Sequence, residues 1–205
     1  MKVAVVGGTG TFGQAVAKRL VDTGFDVVIG SRDAGRARDA ADALGASGAN
    51  NDDAVRGVDL VVFAVNADAA VETARDLRQS IGSTPVLSVC AELEFGPGGV
   101  KPTAAVTSIA KRIEDELDAP VVAGLHSLAA ANLAAAPPDE DALVCGDDAR
   151  AKELALELAA RLVSGKAVDC GPLASARALE GMTAVIVNVN KRYKAHAGLR
   201  ISGIP

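Results

Sequence analysis

Aromatic side chains are scarce in this chain of 205 residues, which has one Tyr, four Phe and no Trp. A stacking platform for bases or sugars needs several such rings, so none is expected. Surplus positive charge is missing too. The net charge is −5, whereas a general nucleic-acid binder carries a basic face. No run approaches the roughly 18 uninterrupted apolar residues of a membrane span. The N-terminus reads as a strand without a cleavage signal, so a cytoplasmic protein with neither membrane nor nucleic-acid partner is expected. His126 and His196 lie far apart and no Cys-x-x-Cys pair occurs, which argues against a dedicated metal site. Cys90, Cys145 and Cys170 are odd in number and widely spaced. They read as free thiols of a reducing compartment.

What is present is a globular composition, 49% hydrophobic and 23% charged, long enough for one sizeable core. Short apolar runs recur: "KVAVV", "FDVVIG", "VDLVVFAV", "PVLSV", "PVVAGL", "ALVC" and "AVDC". Amphipathic stretches predict helices over 10–23, 34–44, 68–81, 103–117, 149–163 and 174–194. Apolar strands joined by helices mean a parallel sheet covered on both faces. The expected fold is therefore α/β, a Rossmann-type doubly wound, mostly parallel sheet with a small C-terminal α/β extension. The composition shift at "AAAPPDED" divides it into a nucleotide-binding domain, 1–138, and a small domain, 139–205. "GASGAN" reads as a weak edge strand or a mere connection. "FGPGGVKP" reads as a breaker-rich loop at the carboxyl edge of the sheet, where open α/β folds bind ligands. Asp33 fits a helix N-cap and Gly45 a C-cap.

Gly8, Gly10 and Gly13 form Gly-x-Gly-x-x-Gly between the first strand and the first helix. Glycines permit the tight turn and close approach of backbone amides to a pyrophosphate, which the helix dipole favours. Gly8, Thr9, Gly10, Thr11, Phe12 and Gly13 are thus candidate cofactor-binding residues. The Thr9 hydroxyl has two uses open to it, a phosphate oxygen or its own turn.

The second strand ends in Gly30, Ser31 and Arg32, where an NAD enzyme places an acidic residue on the ribose. Ser31 and Arg32, with Arg36 one turn into the next helix, suit the 2′-phosphate of NADP. Arg38 reads as a solubilising surface charge.

An obvious proton donor is harder to find. The single tyrosine is Tyr193 and position 197 is alanine, so a Tyr-x-x-x-Lys pair is excluded. Cofactor binding without an acid–base pair suits hydride exchange between two redox cofactors, which carry the chemistry themselves. An NADPH-dependent reductase of a small imine or carbonyl compound stays open, with Lys191 or His126 as donor. So does a non-catalytic NADP-binding redox sensor.

The stretches "VVGGTGTFGQAVAKRL", "VVIGSR", "AGLHSLAAANL", "ALVCGDD", "DCGPLASARALEGMT" and "VNKRYKAHAGLRISG" span essentially the whole chain. On them it resembles the NADP-dependent 8-hydroxy-5-deazaflavin (coenzyme F420) oxidoreductases. The resemblance implies a homodimer that passes hydride between NADP(H) and F420. It implies that His126 and Thr183 line the deazaflavin pocket as catalytic residues, His126 donating to the ring. Ala64, Val65 and Asn66 are placed to flank the nicotinamide, and Ser88 and Val89 to contact cofactor. Taken alone, His126 also reads as a satisfied histidine at a strand end, and Thr183 as a helix hydroxyl bonded to its own backbone. The chain departs from the family at Gly181, where a serine is expected.

Overall fold

The computed structural model describes residues 1–204. In chain order the elements are β1 (Lys2–Val6), α1 (Thr11–Asp22), β2 (Asp26–Ser31), α2 (Ala34–Asp42), β3 (Ser47–Asn50) and α3 (Asn51–Ala54). Then follow β4 (Leu60–Phe63), α4 (Ala67–Ile81), β5 (Val86–Ser88), β6 (Leu93–Gly96), β7 (Gly99–Pro102), α5 (Ile109–Glu114) and β8 (Val121–Gly124). The last are α6 (Ala130–Ala135), β9 (Ala142–Gly146), α7 (Ala149–Leu162), β10 (Ala167–Asp169), a 3₁₀ turn (Leu173–Ser175) and α8 (Ala176–Tyr193).

Eight strands form one sheet in the order β10-β9-β8-β5-β4-β1-β2-β3. All pairs are parallel except β8 with β9, which run antiparallel. The fold is thus a Rossmann-like α/β fold. Because side chains alternate across a strand, Val3, Val5 and Val62 pack on one face with α1 and α7. Ala4, Val6, Val61 and Phe63 pack on the other with α4, α5 and α8. This two-sided burial explains why these strands are apolar throughout. "GASGAN" does form an edge strand, Val28 pairing with Ser47 and Ser31 with Asn50. The sheet and the first of these cores run unbroken across position 138/139, since β9 and α7 share that core with β1 and α1.

Besides the short helices α3 and α6, which were not expected, two segments differ from expectation. Residues 95–102 are not a loop but most of a hairpin, with Phe95 opposite Val100 and Gly96 opposite Gly99. The turn is Pro97–Gly98, and a Lys101–Glu94 ion pair of 2.7 Å spans the strands. The breakers supply the turn while Leu93, Phe95 and Val100 supply the pairing. The helix expected from 103 begins only at Ile109, with Ser108 accepting from the Lys111 amide at 3.0 Å. Arg177 donates to the carbonyls of Thr103 and Ala105, groups that a helix starting at 103 would use for its own bonds. Asp33 caps α2 as expected, accepting from the amides of Gly35 and Arg36 at 2.8 and 3.1 Å. Gly45 lies two residues beyond the cap residue Ala43, with φ +70°.

Candidate functional site

The glycine turn is shaped by close packing. Gly7 has φ +79°, and a Cβ there would stand 2.5 Å from the carbonyl oxygen of Ala64. A Cβ on Gly13 would stand 2.5 Å from that of Gly7. The turn is therefore pressed against α1 and the end of β4. Gly10 is the N-cap of α1 and offers no side chain to the first-turn amides. Those donors, with the positive end of the helix, are left for an anion. Gly8 and Gly13 serve packing, while Thr9 and Gly10 line a cavity of about 220 Å³.

Ser31, Arg32 and Arg36 line that same cavity. Ser31 is buried at the end of β2 and its hydroxyl accepts from the Asp33 amide at 3.3 Å. Arg32 and Arg36 are exposed and bring two positive charges to the cavity rim. Arg38 is exposed and does not line it. The donor set fits a phosphorylated ribose: glycine-turn amides for the pyrophosphate, a hydroxyl and two guanidinium groups for the extra phosphate. Sequence reading missed Gly7, Asp33, Asn51, Ala69 and Thr73, which also line the cavity.

Ala64, Val65, Asn66 and Gly10 belong both to this cavity and to a larger one of about 480 Å³. The two form one groove over the carboxyl ends of β1, β4 and β5. Thr11, Phe12, Val89, His126 and Thr183 line the larger part, joined by Leu93 and Phe95 of the hairpin. Ser88 is fully buried in β5 and lines neither part, whereas Val89, the other residue expected there, lines the larger one. Gly181 faces Pro102 of the hairpin, with 3.4 Å from a built Cβ to the proline Cγ, rather than the groove.

His126 follows Leu125, a buried residue with φ +67°. Its Nε2 lies 3.0 Å from the Cys90 carbonyl oxygen. A carbonyl only accepts, so the ring proton sits on Nε2 and Nδ1 carries a lone pair, buried and unpartnered. Burial pushes the imidazole down to about 4, against a small opposing effect of the Cys90 carbonyl. The ring is thus neutral near pH 7 and can only accept at Nδ1, so the donor role expected for it is closed while Nε2–H is held. Thr183 does not bond its own helix. Its hydroxyl donates to the His126 carbonyl at 2.9 Å. The Cys90 thiol sits 3.2 Å from the carbonyls of Phe63 and Val65. Burial pushes it up to about 12, so it is no nucleophile. Among the described residues no cluster of His, Cys, Asp or Glu could hold a metal ion. No helix among them is long and apolar enough to cross a membrane.

The family described as "NADP oxidoreductase coenzyme F420-dependent" matches residues 2–92. The F420-dependent NADP reductase of Methanothermobacter thermautotrophicus is 33% identical over an alignment covering 100% of this chain and 96% of its own. That of Methanocaldococcus jannaschii is 30% identical, covering 100% and 99%. A crystal structure of a protein from Arthrobacter sp. FB24, described as a putative F420-dependent NADP reductase, superposes with a TM-score of 0.85. It is 24% identical, over 99% of this chain and 100% of that one, and so speaks to the fold alone.

Proposed function

The chain belongs to the family of F420-dependent NADP reductases, and from that premise we propose how its groove works. It is an oxidoreductase that passes a hydride between NADP(H) and the deazaflavin coenzyme F420. The observation that carries the assignment of sites is the continuity of the groove at Gly10, Ala64, Val65 and Asn66. A nucleotide held at the glycine turn and at Ser31, Arg32 and Arg36 would extend its nicotinamide into the larger part. The two bound cofactors supply the hydride chemistry between nicotinamide C4 and deazaflavin C5. Direct transfer would require the chain to hold the two rings at reacting distance, about 3–3.5 Å. Leu93, Phe95 and Val89 give the larger part an apolar wall. His126 offers Nδ1 as an acceptor to a ring N–H, and Thr183 positions the His126 segment.

An imine or carbonyl reductase would need a proton donor in that space. His126 near 4 and Cys90 near 12 are both unsuited at neutral pH. Lys191 is exposed and lies over the Phe95 ring. We further propose a homodimer. Val185 on α8 is 53% exposed and Phe95 on the adjoining hairpin 70%, an apolar surface that a second copy would cover. The free cysteines fit a cytoplasmic setting. The test of the reaction is isotopic: NADPH deuterated at its transferred C4 position should deliver the label to C5 of F420. Label found wholly in solvent would sink direct transfer.

A further inference from the structure

Two adjacent asparagines stand where β3 meets α3, and they are used differently. The Asn50 amide is spent. Its Oδ1 accepts from the Asp53 amide at 2.9 Å and its Nδ2 donates to the Asp53 carboxylate at 2.7 Å. Asn51 lines the nucleotide cavity, and its Oδ1 is buried without any partner. A buried carbonyl oxygen left unpaired is costly, and a native chain rarely carries one without a use. The position is held firmly. Ser80 donates to Asp52 at 2.8 Å and receives from Arg56 at 2.8 Å, clamping α3 against α4. Gly30 lies directly beneath, for a Cβ there would stand 2.9 Å from Asn51 Oδ1. The glycine of β2, one residue before its end, thus makes room for this amide.

We infer that Asn51 recognises the adenine base of NADP(H), its Oδ1 accepting from the exocyclic amine. This rests on the reading of the cavity as the NADP site. There the glycine turn fixes the pyrophosphate, and Ser31, Arg32 and Arg36 fix the 2′-phosphate. The base hangs from the ribose carbon next to the phosphorylated one. It therefore enters the remaining part of the recess, walled by Asn51 and by Ala69 and Thr73 of α4. The adenosine half of NADP(H) has two donors, the ribose 3′-hydroxyl and the base amine. The hydroxyl lies on the side of the chain leading to the pyrophosphate, which leaves the amine for Asn51. A carboxamide also matches the paired donor and acceptor on an adenine edge, the amine beside a ring nitrogen.

The test compares NADPH with its hypoxanthine analogue, in which a carbonyl replaces the amine. Dissociation constants come from quenching of nicotinamide fluorescence, with no F420 present. The wild-type protein should bind NADPH about tenfold more tightly than the analogue, the usual size of one such bond. Asn51→Ala should bind both to within about twofold of each other and match wild type on the analogue. Wild-type protein that binds both equally overturns the inference and assigns the oxygen to the ribose hydroxyl. Equal losses for both nucleotides in Asn51→Ala overturn it as well, by making the residue structural. The wild-type comparison decides even where the variant folds poorly. Failure of the underlying NADP reading would show separately, as NADPH affinity unchanged by Arg32→Ala.

Discussion

The hydroxyl of Thr183 donates to the main-chain carbonyl of His126 at 2.9 Å, tying α8 to the end of β8. Directly before His126 the chain passes through Leu125 in a left-handed conformation, which costs a non-glycine residue roughly 1–2 kcal/mol. A side chain from another element that holds the following carbonyl helps keep this bend in place. Thr183→Val keeps the shape and removes the donor. It should cost about 1–3 kcal/mol in urea unfolding. It should also raise KM for F420 severalfold while leaving the NADPH dissociation constant near wild type. Unchanged KM and stability would reduce Thr183 to a bystander.

The burial of His126 makes a pH prediction with a definite sign. Its imidazole is near 4 when folded, against 6.5 for an ordinary one. Between those values the unfolded chain takes up the proton and the folded chain does not. Stability from this group is therefore complete above about pH 6.5 and is lost as pH falls toward 4. The shift corresponds to about 3 kcal/mol. Urea midpoints at pH 7.5 and 4.5 should drop more for wild type than for His126→Gln, which has nothing to titrate there. Parallel drops would mean the ring is solvated.

Arg32→Ala should weaken NADPH binding by about 1.5–3 kcal/mol, the worth of a charge-assisted bond, and barely change NADH binding. Titration with both nucleotides separates a phosphate contact from a general one. Equal losses would make Arg32 a support of the β2–α2 turn.

The parts of the fold legible in the sequence were those with one local cause. "KVAVV" and "LVVF" are apolar because both sheet faces are covered, and Asp33 caps a helix because its carboxylate reaches the amides two and three residues on. The glycine turn and the absent acid at the end of β2 pointed to the nucleotide cavity for the same reason. The hairpin was hidden because Gly and Pro at 96–99 signal a turn yet say nothing of the pairing on either side. The start of α5 was hidden because Arg177, more than seventy positions away, takes the carbonyls of Thr103 and Ala105. Asn51 was invisible for a similar reason. Its value depends on Gly30 across the strand pair and on the lack of any partner, and neither is a local pattern.

Gly181 is a helix position that invites a stabilising substitution. It lies within α8, where glycine costs roughly 0.5–1 kcal/mol relative to alanine because the unfolded chain has more freedom to lose. A Cβ at this position would meet only the ring of Pro102, at an ordinary contact distance of 3.4 Å. It would not enter the groove. Gly181→Ala should therefore raise Tm by about 1–4 °C for a chain of this length. kcat/KM for F420 should stay within about twofold, because the residue touches the hairpin and not the larger part of the groove. Gly181→Ser should stabilise less, serine being the weaker helix former. A fall in Tm for the alanine variant would show that the hairpin cannot yield the small space required. A large gain in F420 affinity for the serine variant alone would place that hydroxyl on the deazaflavin after all.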